Sequence, residues 1–395
     1  MPVTYTYPYT QYGGVWNLTS QSQAQGAGTW AIPPQPHLYA WGANTYGELG
    51  QGNITNYSSP KQVGSLTNWF QISAFSLGGS IVAIKTDGTL WAWGWNNLGQ
   101  LGLGNTTNYS SPKQVGALTN WSQVSTGKYH TLAIKTDGTL WSWGSNHNGA
   151  NTVGFGQLGL GNTTNYSSPK QVGSLTTWLS VAGGSYHSIA VKTDGTLWAW
   201  GFNQYGQLGI GNRTNYSSPV QVGSLTNWSS KICNNPYNSL AIKSDGTFWA
   251  WGNNGSGQLG QNNTTNYSSP KQVGALTNWL NVSAGYSNSL STKTDGTLWT
   301  WGYNNQGQLG FSNIVNYSSP KQVGSLTNWL NVAGGLYDSY SIKTDGTLWA
   351  WGINGSGQLG LGNTTSYSSP KQVGSLTSWI SIAAGGYYVS GIAKF

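Results

Sequence analysis

The sequence predicts an all-β protein: a seven-bladed β-propeller of repeats, closed by pairing of N-terminal and C-terminal strands and preceded by an extended N-terminal arm. Three observations predict it. Glycine makes up 58 of 395 residues, about twice its usual share, alongside 23 Trp, 23 Tyr and only 6% charged residues. That composition is poor in helix formers and rich in strand and turn formers. A block of about 50 residues recurs along the chain, marked by Trp-Gly at Trp41, Trp93, Trp143, Trp200, Trp251, Trp301 and Trp351. Finally, the last block stops short of a strand that the start of the chain supplies.

Residues 1–36 stand outside the repeats. They carry no charged residue, yet hold Tyr5, Tyr7, Tyr9, Tyr12, Trp16 and Trp30 before the stiff Pro33-Pro34 junction. A disordered tail is ordinarily polar and charged. This segment therefore reads as an anchoring arm that orders by docking on the propeller, on a second copy or on another protein. The propeller itself is expected over 37–395.

Within a repeat, Thr89-Leu90-Trp91-Ala92-Trp93 alternates with the period of a strand, and Ile81 to Lys85 is an apolar run of strand length. Asp87-Gly88 joins them as a tight hairpin, since Gly adopts positive φ without steric strain. Lys61-Gln62-Val63 and Trp69-Phe70-Gln71-Ile72 complete four short antiparallel strands per repeat, the unit of a propeller blade. The Asp-Gly turn occurs at Asp87, Asp137, Asp194, Asp245, Asp295 and Asp345 but not a seventh time. Gly391-Ile392-Ala393-Lys394 aligns with Val82-Ala83-Ile84-Lys85 and ends at Phe395, while His37 to Gly42 matches the strand Thr89 to Gly94. The N-terminal strand is thus expected to complete the final blade and remove its open edge.

The repeats resemble those of the regulator of chromosome condensation family. The resemblance rests on Trp-Gly-x-Asn-x-x-Gly-Gln-Leu-Gly, as at Trp351 to Gly360, and on Gly-x-x-His-x-x-Ala, as at Gly184 to Ala190, recurring in register over 37–395. It implies the seven-bladed propeller and, more loosely, the family's roles in guanine-nucleotide exchange and chromatin binding.

Residues identical in nearly every copy read as scaffold, including the Trp set Trp69, Trp121, Trp178, Trp228, Trp279, Trp329 and Trp379. Six of the eight acidic residues belong to Asp-Gly turns, leaving Glu48 and Asp338. Antiparallel strands send successive loops to opposite sides, so the Asp-Gly and Ser-Leu-Thr-Asn turns should share one monotonous face. Both variable loops, after each Trp-Gly and ahead of the hairpin, should share the other. The position opening the strand before the hairpin reads Ser80, His130, His187, Asn238, Asn288, Asp338 and Val389, and the two histidines read as structural. Binding concentrates on loops held by a rigid frame, so Trp95, Phe202, Tyr303, Tyr205, His147 and Phe155, the last in the insertion 149–155, are the candidate binding residues.

The lone Cys233 excludes an internal disulfide or a multi-cysteine metal site. No triad, carboxylate pair, metal-ligand spacing or phosphate-cradling loop is visible, so neither catalysis nor a cofactor is expected. The net charge of +8 is spread without a basic run, which argues against nucleic acid. No stretch approaches the ~18 apolar residues of a membrane span, and the N-terminus lacks the pattern of a secretory signal.

The leading expectation is a non-enzymatic structural and recognition protein of a large assembly, a phage or other virion component of the decoration, tail or fibre type. Residues 1–36 would hold it to other virion or assembly proteins, and the variable face would meet a host surface glycan or protein. The alternatives are a carbohydrate-binding propeller lectin, and an interaction hub or guanine-nucleotide exchange factor like the family's founder. The expected location is a virion or the extracellular space, with the cytoplasm as the alternative.

Overall fold

The computed structural model describes residues 34–149 and 153–395. The arm residues Tyr5, Tyr7, Tyr9, Tyr12, Trp16 and Trp30 lie outside the described residues, as do 150–152 of the insertion. The described chain forms twenty-eight strands, β1 to β28 in chain order, in seven four-stranded antiparallel sheets. In the first complete blade β3 (Trp69–Ser73), β4 (Ser80–Lys85), β5 (Leu90–Gly94) and β6 (Tyr109–Gln114) run from the axis outwards.

The core lies between blades rather than within one. Val82, Ile84, Leu90 and Ala92 of one sheet pack with Trp121, Val124, Ala133 and Trp143 of the next. Each blade also reaches its predecessor through an indole N–H. Trp93 Nε1 donates to the Glu48 carbonyl at 2.8 Å, and Trp143, Trp200, Trp251, Trp301 and Trp351 repeat the contact with Gln100, Gln157, Gln207, Gln258 and Gln308. Trp41 donating to the Gln358 carbonyl at 2.8 Å closes the ring. These buried tryptophans are scaffold.

The closing sheet takes the order β2-β1-β28-β27, with β1 (Pro36–Gly42) and β2 (Tyr57–Thr67) supplied by the start of the chain and β27 (Trp379–Ala384) and β28 (Tyr388–Lys394) by its end. The expected closure is therefore present, with one correction of register. Gly42 faces Tyr388 just as Gly94 faces Ser80, and Trp379 faces Ala393 just as Trp329 faces Lys343. Tyr388, not Val389, occupies the place of His130, and Ala393, not Lys394, that of Lys85. Matching lysine to lysine slipped the strand by one residue, which exchanges its two faces. The lysine slot is left to Ala393, and Phe395 packs against Tyr39 and His37 instead.

Candidate binding face

The faces of the ring separate as their loops require. On the constant face, Gly88 (φ 75°) leaves no room for a side chain, since a Cβ there would stand 2.1 Å from the Thr119 carbonyl of the next blade. Asp87 Oδ1 accepts from Thr89 N and Oγ1, and Thr89 Oγ1 accepts from Trp91 Nε1 at 2.9 Å. The relay recurs at Asp137, Asp194, Asp245, Asp295 and Asp345. Its hydrogen bonds, led by that from the threonine hydroxyl, hold these carboxyls below their ordinary range.

Lysine is absorbed in the same way. Lys135 Nζ lies 3.8 Å from the Trp141 ring and 5.0 Å from Trp121, and Lys85, Lys192, Lys243, Lys293 and Lys343 are sandwiched likewise. Six more lysines cover a tyrosine on the outer strands, as Lys61 covers Tyr57 at 4.0 Å. Twelve of the sixteen basic residues are thereby spent on packing, so the positive net charge does not collect into a patch.

On the opposite face each residue after Trp-Gly bonds the loop ahead of the second strand: Trp95 N to Gly79 O and Phe202 N to Tyr186 O, both at 2.8 Å. This brings the variable positions together as an aromatic crown. Ring centroids step from Tyr46 to Trp95 (6.1 Å), to Tyr129 (5.6 Å) and to Tyr186 (5.6 Å), and Tyr186 continues to Tyr237 at 6.4 Å. Tyr286 and Tyr303 both approach Tyr337, at 5.8 and 5.9 Å.

The six expected residues take different parts in it. Trp95 and Tyr303 are half-buried members, and Tyr205 lies 5.3 Å from Tyr237. Phe202 is only 7% exposed and packs 4.6 Å from Phe155 and 6.1 Å from Tyr186, supporting the crown from within. His147 braces the base of the insertion: its Nδ1 is 2.9 Å from Asn165 Oδ1, and its carbonyl accepts from Gln157 Nε2 at 2.8 Å. Most of the crown tyrosines, directly ahead of the second strand, were not among the expected residues. The same copy-by-copy comparison finds them one residue earlier, at Tyr129, Tyr186, Tyr237, Tyr337 and Tyr387.

Beneath the crown runs a ring of fully buried polar groups. His130 Nε2 is 2.9 Å from Ser188 Oγ, and Ser188 Oγ donates to the Gln157 carbonyl. The serine proton is thus committed, so the imidazole donates from Nε2. His187, Ser239 and Gln207 repeat this one blade on. Burial pushes both histidines down to about 3, so they are neutral braces. Gly127 and Gly184 of the Gly-x-x-His motif make room for them: a Cβ there would stand 2.4 and 2.3 Å from the imidazole Cε1. At the same position Asp338 is pushed up to about 7, chiefly by burial. Tyr340 Oη is 2.8 Å from both Asp338 Oδ2 and the Gln358 carbonyl. A phenol has one proton to give and a carbonyl only accepts, so both contacts are satisfied when a protonated Asp338 donates to the phenol.

Among the described residues no three His, Cys, Asp or Glu side chains gather as ligands for a metal ion. The channel along the axis is a cavity of about 290 Å3 lined by the inner strands, with Ser73, Thr126, Ser180 and Cys233 on its wall.

The model of the regulator of chromosome condensation (RCC1) repeat matches seven times, at 37–84, 87–134, 137–191, 194–233, 245–291, 295–339 and 345–392, and the chain belongs to that family. It is similar to the ultraviolet-B receptor UVR8 of Arabidopsis thaliana, 30% identical over 242 residues that make up 60% of this chain and 53% of the receptor. It is also similar to the secretion-regulating guanine nucleotide exchange factor of Bos taurus, 32% identical over 176 residues, 43% of this chain and 36% of that protein. The matches thus span about half, or less, of these relatives' length. Among solved structures, Prp20p of Saccharomyces cerevisiae, described with its binding to Gsp1p and histones, shares the fold at a TM-score of 0.80 and 19% identity, covering 92% of each chain.

Proposed function

We propose that the chain is a non-catalytic recognition propeller that meets a macromolecular partner through its aromatic crown and is held in a large assembly, such as a virus particle, by residues 1–36. One observation carries the reading of the face. Interactions repeated blade by blade consume the charged and polar groups of the constant face, whereas the crown collects the side chains that differ from blade to blade. Tyrosine and tryptophan there offer large, stiff contact area with a polar edge, the chemistry enriched where proteins bind. The display role is supported by the aromatic, uncharged composition of residues 1–36.

The test compares the full chain with Tyr205→Ala/Tyr303→Ala and with a deletion of 1–36, reading attachment to host cells and incorporation into particles separately. The double variant should fold and assemble but lose attachment at least 10-fold, and the deletion should fold but fail to assemble. Undiminished attachment by the double variant would remove the crown from recognition.

Similarity to the bovine exchange factor favours a second reading, in which the crown engages a small GTPase. Accelerated nucleotide release from such a GTPase by the full chain would establish that reading in place of the first.

A further inference from the structure

Two neighbouring blades each depart from their siblings at one place, and the two departures face each other. In the closing blade the Gly-x-Leu-Gly loop between β1 and β2 carries Glu48 where the other six carry Gln100, Gln157, Gln207, Gln258, Gln308 and Gln358. Ahead of β4, the second strand of the next blade, stands Gly79, where five blades place a crown tyrosine and one places Ser287. A Cβ on Gly79 would lie 3.6 Å from Glu48 Oε1, so the missing tyrosine uncovers the one carboxylate of the crown.

The result is a cleft of about 300 Å3 lined by Tyr46, Glu48, Gly79, Trp95, Lys128 and Tyr387, among others. Its rim is open, with Tyr46 44% and Tyr387 42% exposed, while Glu48 at its floor is 5% exposed. Glu48 Oε2 accepts from Tyr46 N at 2.8 Å, which fixes the carboxylate in place.

We propose, resting on the crown as the recognition face, that this cleft binds one neutral pyranose unit of a glycan. Its size suits a single sugar ring. Trp95 and Tyr46, tilted 42° to each other at 6.1 Å, present apolar faces against which the C–H face of a pyranose packs. An ionised carboxylate only accepts hydrogen bonds and makes strong ones, so Glu48 takes hydroxyl donors from the sugar edge. The nearby ammonium settles the ligand's charge. Lys128 Nζ lies 4.8 Å from the Tyr129 ring on the same cleft, so one cation balances the one anion and neither an ammonium nor an acidic ligand gains by entering.

The test is a panel of neutral and acidic oligosaccharides, plus tetramethylammonium, titrated against the full chain and three variants. Glu48→Gln restores the residue of the six other blades and keeps the backbone bond, as Gln207 does for Tyr205 N at 3.0 Å, so an unchanged melting profile is expected. Binding of a neutral sugar that falls at least 10-fold in both Glu48→Gln and Trp95→Ala, and stays within 2-fold in Lys271→Val, on an outer strand away from the crown, is the expected result. Sugar binding kept in both Glu48→Gln and Trp95→Ala would overturn the cleft while leaving the crown as the recognition face. Binding of tetramethylammonium alone, or of no glycan, would overturn the sugar assignment and leave the crown's role to the attachment test.

Discussion

The two faces of the ring are built from the same strands and obey opposite rules. On the constant face, Asp-Thr-Trp relays and Lys-Trp sandwiches recur six times with nearly the same distances, and what recurs there is what the fold needs to close. On the crown, the two variable loops of each blade are tied together through backbone atoms, as from Trp95 N to Gly79 O and Phe202 N to Tyr186 O. Side chains above those bonds are free to differ. A repeat protein thus separates stability from recognition by direction along its strands, and the comparison can be attacked from either side.

The largest expected effect is on the constant side. Trp178 is 3% exposed and meets Trp198 and Trp200 edge-on at 6.2 and 6.3 Å, with Lys192 Nζ 5.1 Å from its ring. Trp178→Ala should cost about 3–5 kcal/mol in chemical denaturation. Tyr205→Ala, half-exposed on the crown, should cost less than about 1 kcal/mol. Equal losses at the two sites would mean that the crown is structural and that the division of labour is wrong.

The next effect lies under the crown and depends on pH. Below pH 3.8, the ordinary value for aspartate, Asp338 is protonated whether the chain is folded or not. As pH rises toward about 7 the unfolded chain ionises this carboxyl and the folded one holds its proton, so the fold loses stability over that window, by about 4 kcal/mol when complete. His130 and His187, held down to about 3, act in the opposite sense and cost stability as pH falls below 6.5. Asp338→Asn installs the residue that Asn238 and Asn288 already provide in neighbouring blades. It should raise stability above pH 7 by up to about 4 kcal/mol and leave it nearly unchanged at pH 4, as measured by urea unfolding across that range. A gain that does not vary with pH would show that the carboxyl is not held protonated.

Much of this was legible in the sequence because the chain supplies its own comparison set. Seven Trp-Gly pairs and the missing seventh Asp-Gly turn were enough for the blade count and the closure. The subtraction that left Glu48 and Asp338 unexplained pointed at the two acids that do not belong to the scaffold. Two things were not legible. Burial at the loop after Trp-Gly depends on what the neighbouring loop brings, and Phe202 is covered because Phe155 and Tyr186 arrive from elsewhere in the chain. The register of β28 was hidden by a lysine that matched its siblings by name, while the pairing follows the apolar face set by Ile392 against Leu38.

The smallest effect separates two kinds of lysine that the sequence writes alike. Lys293 is 4% exposed, with Nζ 3.7 Å from the Trp299 ring and 4.7 Å from Trp279, and its burial lowers its affinity for the proton. Lys271, on the outer strand, lies 5.5 Å from the Tyr267 ring in contact with solvent. A desolvated cation–π contact is worth about 1–2 kcal/mol and an exposed one at most half of that. Lys293→Ala should therefore lower stability by about 1–2 kcal/mol in denaturant titration. Lys271→Val, copying the Val220 that one blade already carries there, should stay within about 0.5 kcal/mol. The seventh blade sharpens the expectation: it has Ala393 in the sandwich position, and Phe395, 49% exposed, only covers Tyr39 from 6.1 Å, so Phe395→Ala should cost less than removing a sandwiched lysine. If Lys293→Ala proved as neutral as Lys271→Val, the tryptophans alone would hold the constant face and its lysines would be decoration.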